Sequence, residues 1–367
     1  MKIFFSAGEL SGDIHAGELI RELRKIEPEL LISAIGGDNM AKAGAELIYH
    51  IRETSFMGIT EVIKHLPSIR KILKNTIDFV DREKPDLIVT VDYPGFNLRL
   101  ARAAWKRKIP VVYYISPTVW AWHQSRVKKI KKYTKEMLCI LPFEEDWYKN
   151  FNVNATYVGN PLMDKYGDIK IENNRKKSHL IGLFPGSRKQ EVEKHLPIMI
   201  ESIILLRKEF PEYQAAVAEA PGIDFGNYKK QFPCDWLKWE TDQNSELMVK
   251  SDFLIMSSGT ASLEAAIHNT PMVVIYSISA FSFWLIKKLV SISYISLTNL
   301  IAGEGGIKEL IQDDLTPENI AAEASRILTN QEEEKKMRLF LKNVTEKIGR
   351  SGASKRAAQI IVKWVKH

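Results

Sequence analysis

"LIGLFPGSRKQEVEKH", residues 180–195, joins a strand, a turn and the start of a helix in one short stretch. The apolar run 180–184 has the length of a buried strand. Pro185 and Gly186 turn the chain, and Ser187 with Gln190 three residues on matches a capping box. The helix that follows then carries two cations, Arg188 and Lys189, at its mouth. A helix N-terminus holds roughly half a positive charge, so each cation there costs about 0.3–1 kcal/mol. The pattern asks for an anion, and that anion is assigned to a ligand.

Outward from this stretch, apolar runs alternate with helical patterns along the whole chain, which predicts parallel α/β layers. Strands are expected at 3–7, 31–35, 87–91, 111–115, 137–141 and 156–158, and again at 181–184, 214–218, 253–256 and 272–276. The polar stretch "DKYGDIKIENNRKKSH", 164–179, interrupts the pattern and marks a domain boundary. The expected architecture is two doubly wound, Rossmann-like domains, 1–165 and 166–345. The closing amphipathic helix, 346–367, is expected to pack across them. Such domains bind ligands beyond the carboxyl ends of their strands, here in a cleft that the two sheets face.

The chain has 367 residues, 45% hydrophobic and 26% charged, an ordinary globular balance. Basic residues exceed acidic ones by 7, and 5 of that excess lies in residues 1–165, where 25 basic face 20 acidic residues. That asymmetry suggests a basic face near an anionic partner. Cys139 and Cys234 stand in unrelated contexts and read as isolated reduced thiols. "MKIFFSAGE" is too short an apolar run for a signal peptide, and Lys287 and Lys288 cut the longest apolar stretch, "FSFWLIKKLVSISYISL". A cytoplasmic location is expected.

Three further strand-end loops carry chemistry. In "FFSAGELSGDIHAG", Gly8 and Gly12 permit either close approach to a ligand or a tight strand-to-helix turn, and Glu9 and Asp13 lie beside it. Neither GxGxxG nor GxxxxGK[ST] is present, so dinucleotide and P-loop sites are poorly supported. In "LIVTVDYPGFN", Asp92 follows a near-continuous apolar strand. It reads either as a general base or as the side chain closing the turn, and Asn97 is placed to cap the next helix. In "FLIMSSGTASLEAAI", Ser258, Gly259 and Thr260 open a helix whose free N–H groups suit a phosphate, and Glu264 lies one turn on. Two helix mouths, one with Arg188, suit a diphosphate. Glu264 suits ribose hydroxyls.

In order and spacing, "SAGELSGD", "MGITEV", "VDYPGFN", "SPTVWAW", "FPGSR", "SSGTASLEA" and "SLTNLIAG" closely resemble the lipid-A-disaccharide synthases of Gram-negative bacteria over essentially the whole chain. The resemblance implies an inverting glycosyltransferase of GT-B architecture. Its reaction moves 2,3-diacylglucosamine from the UDP derivative to 2,3-diacylglucosamine 1-phosphate, giving a β-1,6-linked disaccharide and UDP. It also places the donor side on Arg188, Ser258, Gly259, Thr260, Glu264 and Asn299, and the acceptor side and base on Asp92 and Glu9. Family members often carry a second acidic residue where this chain has Gly95, and bulkier residues where it has Gly305 and Gly306. No Asp-x-Asp pair occurs, so neither an obligatory metal nor any other cofactor is expected.

Lipid substrates require a membrane surface. "FMGITEVIKHLPSIRKILKN", 56–75, mixes apolar and basic residues as interfacial helices do, although Pro67 warns of a break. "SRVKKIKKYTK" adds six cations. Peripheral attachment to the inner face of the inner membrane is therefore expected, and nucleic acid is not, since no recognised motif accompanies the basic runs. Two rival readings are a UDP-sugar epimerase of the same fold and a non-catalytic basic membrane-binding protein. No motif specifies an oligomeric state.

Overall fold

A computed structural model describes residues 1–53, 66–122, 124–167, 177–278 and 293–366. The "MGITEV" motif, 57–62, together with Ile63, and most of the apolar stretch 281–297, lie outside the described residues. The chain divides into two compact units, one of residues 1–165 with 350–367 and one of 166–349.

In the first unit the described residues form a seven-stranded parallel sheet: β1 (Lys2–Ala7), β2 (Leu31–Gly36), β3 (Glu46–His50), β4 (Leu87–Val91), β5 (Val111–Tyr114), β6 (Glu136–Cys139) and β7 (Ala155–Tyr157), in the order β3-β2-β1-β4-β5-β6-β7. β4 is buried along its whole length, as a strand covered on both faces must be. Alternate side chains divide the core. Ile3, Phe5, Val89 and Val91 face the helices Leu10–Ile26 and Ala353–Lys366, while Phe4, Ile88 and Val111 face Leu66–Glu83 and Pro94–Lys106. Pro67 is the second residue of the described helix Leu66–Glu83, and the stretch before Leu66 lies outside the described residues.

The closing helix counts with the first unit. Ala357, Ala358, Ile361 and Val362 share a core with β1 and β4, the Trp364 indole N–H donates to Glu136 at 2.6 Å, and the Asp164 carboxylate accepts the N–H groups of Gly352, Ala353 and Ser354.

The second unit repeats the plan. β8 (Leu180–Phe184), β9 (Gln214–Glu219), β10 (Leu237–Thr241), β11 (Phe253–Ser257), β12 (Met272–Tyr276) and β13 (Glu309–Ile311) are ordered β10-β9-β8-β11-β12-β13, again all parallel. β3, β10 and β13, absent from the sequence-based expectation, are all edge strands. Each is only partly buried, so no continuous apolar run announces it. In both sheets the strand order reverses beside the first strand, between β1 and β4 and between β8 and β11. Ligands of doubly wound sheets bind at such switch points.

Candidate active site

At the first switch point Ala7 pairs with Val91, so the loops opening with Gly8 and with Asp92 leave the sheet side by side. Asp92 and Tyr93 both adopt left-handed backbone, φ 43° and 49°, a conformation that costs non-glycine residues about 1–2 kcal/mol each. Buried partners hold the strain. The Asp92 carbonyl accepts from the Tyr113 hydroxyl at 2.6 Å and from Asn97 Nδ2 at 2.7 Å, and Asn97 also reaches the carbonyls of Ser6 and Val91. Asn97 thus ties β1 to β4 from inside the helix Pro94–Lys106, whose cap position is Tyr93. The expected capping role is corrected: its amide binds strand-end carbonyls, not helix N–H groups.

The Asp92 carboxyl is pushed up to about 6. Burial is the main cause, the negative charge of Glu9 adds to it, and the Tyr93 backbone N–H partly offsets both. Glu9 itself is exposed and caps the helix Leu10–Ile26 through its backbone. Gly8 is required by its neighbour, since a Cβ there would lie 2.3 Å from the Tyr93 ring. Asp13 turns away from this site: its buried carboxylate accepts the N–H groups of Gly37, Asn39 and Met40 and so caps the helix Asp38–Lys42.

At the second switch point Phe184 pairs with Met256, and the Ser257 hydroxyl donates to the Pro185 carbonyl at 2.7 Å. The helix after β8 runs Lys189–Glu209, and its capping carboxylate is Glu191, one residue beyond Gln190. Glu191 accepts the N–H groups of Ser187 and Arg188 and pairs with the Arg188 guanidinium at 2.9 Å. The chain thus supplies one anion for this helix mouth itself, and sequence reading missed it because a charged acceptor displaced the neutral glutamine from the box. Arg188 stays largely exposed, with 65% of its side chain in contact with solvent.

Across from Arg188, Ser258 uses its N–H on Ile275 and its hydroxyl on Ile295, while Gly259 and Thr260 are exposed at the start of the helix Thr260–Ile267. The first N–H groups of that helix have no intrahelical acceptor. Glu264, one turn on, is half-buried and hydrogen-bonded by the Tyr166 hydroxyl. Tyr166 also bonds Ser245, which lies 2.8 Å from His268 Nε2.

Asn299, expected on the donor side, holds the loop after its own helix. It is buried, its amide nitrogen donates to the Ile307 carbonyl and to Glu309, and its oxygen accepts the Ile307 N–H. Both ends of the amide are spent on closing the loop between Leu297–Ala302 and β13.

A family described as "Lipid-A-disaccharide synthetase" matches residues 3–363. A lipid-A-disaccharide synthase of Myxococcus xanthus is 37% identical over 98% of this chain and 97% of its own length. The chain belongs to the lipid-A-disaccharide synthetase family. Other members include the enzymes of Nitrosococcus oceani, 37% identical over 97% of this chain and 94% of that one, and Geobacter sulfurreducens, 35% identical over 99% and 97%. Among solved structures, a UDP-GlcNAc 2-epimerase from Neisseria meningitidis superposes with a TM-score of 0.70 at 15% identity, covering 99% of this chain and 100% of that one. Acinetobacter baumannii MurG gives 0.59 at 13%, covering 99% of each chain. These likenesses show the GT-B architecture, while the family carries the activity class, a glycosyltransferase. At Gly306 a Cβ would lie 2.1 Å from the Phe340 ring, which fills that side of the loop.

Proposed function

We propose that the chain transfers 2,3-diacylglucosamine from its UDP derivative to the 6-hydroxyl of 2,3-diacylglucosamine 1-phosphate, with inversion, releasing UDP. The observation that carries the reading is Asp92: a carboxylate at a topological switch point, on strained backbone held by Tyr113 and Asn97, with its proton affinity raised to about 6. Backbone strain of this kind persists only where surrounding contacts over-determine it, and it concentrates at functional sites. A carboxylate near 6 is mostly ionised at neutral pH yet basic enough to take a proton as the acceptor oxygen attacks the anomeric carbon. Glu9 adds to that basicity from beside it.

The second unit receives the donor. Arg188 and the N–H groups from Gly259 onward stabilise the charge that builds on the diphosphate as UDP departs, and binding exchanges Glu191 for phosphate on the guanidinium. Glu264, aimed by Tyr166, accepts from the ribose hydroxyls. Incubation of the purified protein with both diacylated substrates should yield UDP and disaccharide in equal amounts. Conversion of the UDP-sugar to an epimer, or no conversion, would overturn the reading in favour of the epimerase or of a non-catalytic binder.

We infer in addition that one layer of the first unit meets an anionic membrane surface. Leu66–Glu83, Pro94–Lys106 and Val127–Tyr133 cover the same face of its sheet and turn Arg70, Lys71, Lys74, Arg102, Lys128 and Lys132 outward. Trp105 is 47% exposed in this layer, with Lys132 Nζ 4.9 Å from its ring. Among the described residues no helix is long and apolar enough to cross a membrane. Raising salt should release part of the protein from anionic vesicles, and serine at Met57, Ile63 and Leu66 most of the rest. Failure to sediment with vesicles at any salt would remove the membrane from the account.

A further inference from the structure

His195 closes the quoted stretch, and no role was assigned to it from sequence. It is fully buried on the second turn of Lys189–Glu209 and bonds three strand ends at once. Nδ1 lies 2.7 Å from Ser257 Oγ, at the end of β11, and 3.1 Å from the Pro185 carbonyl, just after β8. Nε2 lies 3.1 Å from the backbone nitrogen of Ser277, just after β12. An amide nitrogen is an obligatory donor, so Nε2 must present its lone pair, and the proton of a neutral ring sits on Nδ1. The protons then run in one direction: Nδ1–H to Ser257 Oγ, and the Ser257 hydroxyl to the Pro185 carbonyl at 2.7 Å. Burial favours the neutral ring by lowering its proton affinity, against the opposing effect of nearby Glu191.

We propose that His195 is the positioning residue of the donor site, locking the Arg188 loop, the Ser258–Thr260 loop and the segment leaving β12 into one register. The inference rests on the reading that the second unit binds the UDP moiety. Pro185 is three residues from Arg188, and Ser257 adjoins the loop that opens Thr260–Ile267. The imidazole therefore couples two groups that must meet one diphosphate. A serine hydroxyl alone reaches two of the three strand ends; a ring with a donor and an acceptor on opposite sides reaches all three. Supporting contacts of this kind hold binding groups to a fraction of an ångström, and their loss typically costs about 10–100-fold in affinity.

The test measures UDP binding by calorimetry, with thermal melting, on wild type, His195→Asn and Ser257→Ala. Asparagine keeps a donor near the Nδ1 position and loses the acceptor for Ser277. Alanine removes the middle of the proton chain, and serves alone if His195→Asn does not fold. Each folded variant should bind UDP about 10-fold or more weakly, and in turnover assays the donor KM should rise by more than kcat falls. Nitrogen NMR of the wild type should show a neutral ring protonated on Nδ1, with resonances that move on UDP saturation. A wild type that binds no UDP overturns the donor-site reading itself. A wild type that binds, beside folded variants within about twofold of it, overturns the role of His195 alone, as does a ring protonated on Nε2.

Discussion

The two switch points share a topology and oppose each other in charge. Between β1 and β4 the sheet presents two carboxylates, one desolvated on left-handed backbone and one exposed. Between β8 and β11 it presents a guanidinium and helix N–H groups that lack an intrahelical acceptor. Beneath each lies a buried polar side chain on a flanking helix: Asn97 holds strand-end carbonyls in the first unit, and His195 spans a carbonyl, a hydroxyl and an amide in the second. The repeated strand order thus supplies two equivalent places, and a few side chains make one acidic and the other basic.

Asp92→Asn should separate the two places most sharply. Turnover should fall about 10²–10⁴-fold while UDP affinity stays unchanged, because asparagine keeps the shape and loses the base. If Asp92 only closes a turn, both should survive. Stability gives an independent sign. An acid whose folded-state value is raised stabilises the fold below its unfolded value near 4 and loses that contribution as pH rises toward 6. Asp92→Asn should therefore melt no lower than wild type at pH 8, and a large fall in Tm would make the residue structural.

Arg188→Ala should cost about 10²–10³-fold in turnover, the loss expected when one charge-stabilising donor is removed. Its melting temperature should barely move, since the exposed pair with Glu191 contributes little to the fold. A near-normal rate would take Arg188 out of the diphosphate site. Glu264→Gln should weaken UDP binding by roughly 10-fold, through loss of charged acceptors for the ribose. Unchanged affinity in calorimetry would move the ribose elsewhere.

The smallest effect tests the coupling within the first unit. The kcat/KM profile should rise with pH through about 6 as Asp92 ionises and then level off. Glu9→Gln removes the repulsion that helps to raise that value and should shift the rise to lower pH. An unmoved profile would dissociate Glu9 from the base.

The central strands and the strand-end loops were legible in the sequence because a strand buried on both faces must be continuously apolar, and the first polar residue after it marks the ligand edge. Asp92, Arg188 and Ser258–Thr260 announce themselves in that way. Edge strands such as β10 lack the signal, being half exposed. The supporting side chains lack it too: Tyr113 looks like one more strand aromatic, and nothing in the sequence announces that Asn299 bonds Ile307 and Glu309. Glu191 was not singled out, since charge counting at a helix mouth does not reveal which acceptor the backbone selects.

The helix Ala353–Lys366 completes the core of the first unit although the whole second unit lies between them in sequence. As the chain leaves the ribosome, β1 through β7 emerge long before the helix whose Ala357, Ala358, Ile361 and Val362 complete their core. Throughout synthesis of the second unit, part of one face of the first sheet stays uncovered, an apolar surface open to chaperones or to aggregation. Loss of a few residues at the tail, far in sequence from Asp92, would prolong that exposure indefinitely. A helix made only after the whole second unit therefore decides whether the first strands stay covered.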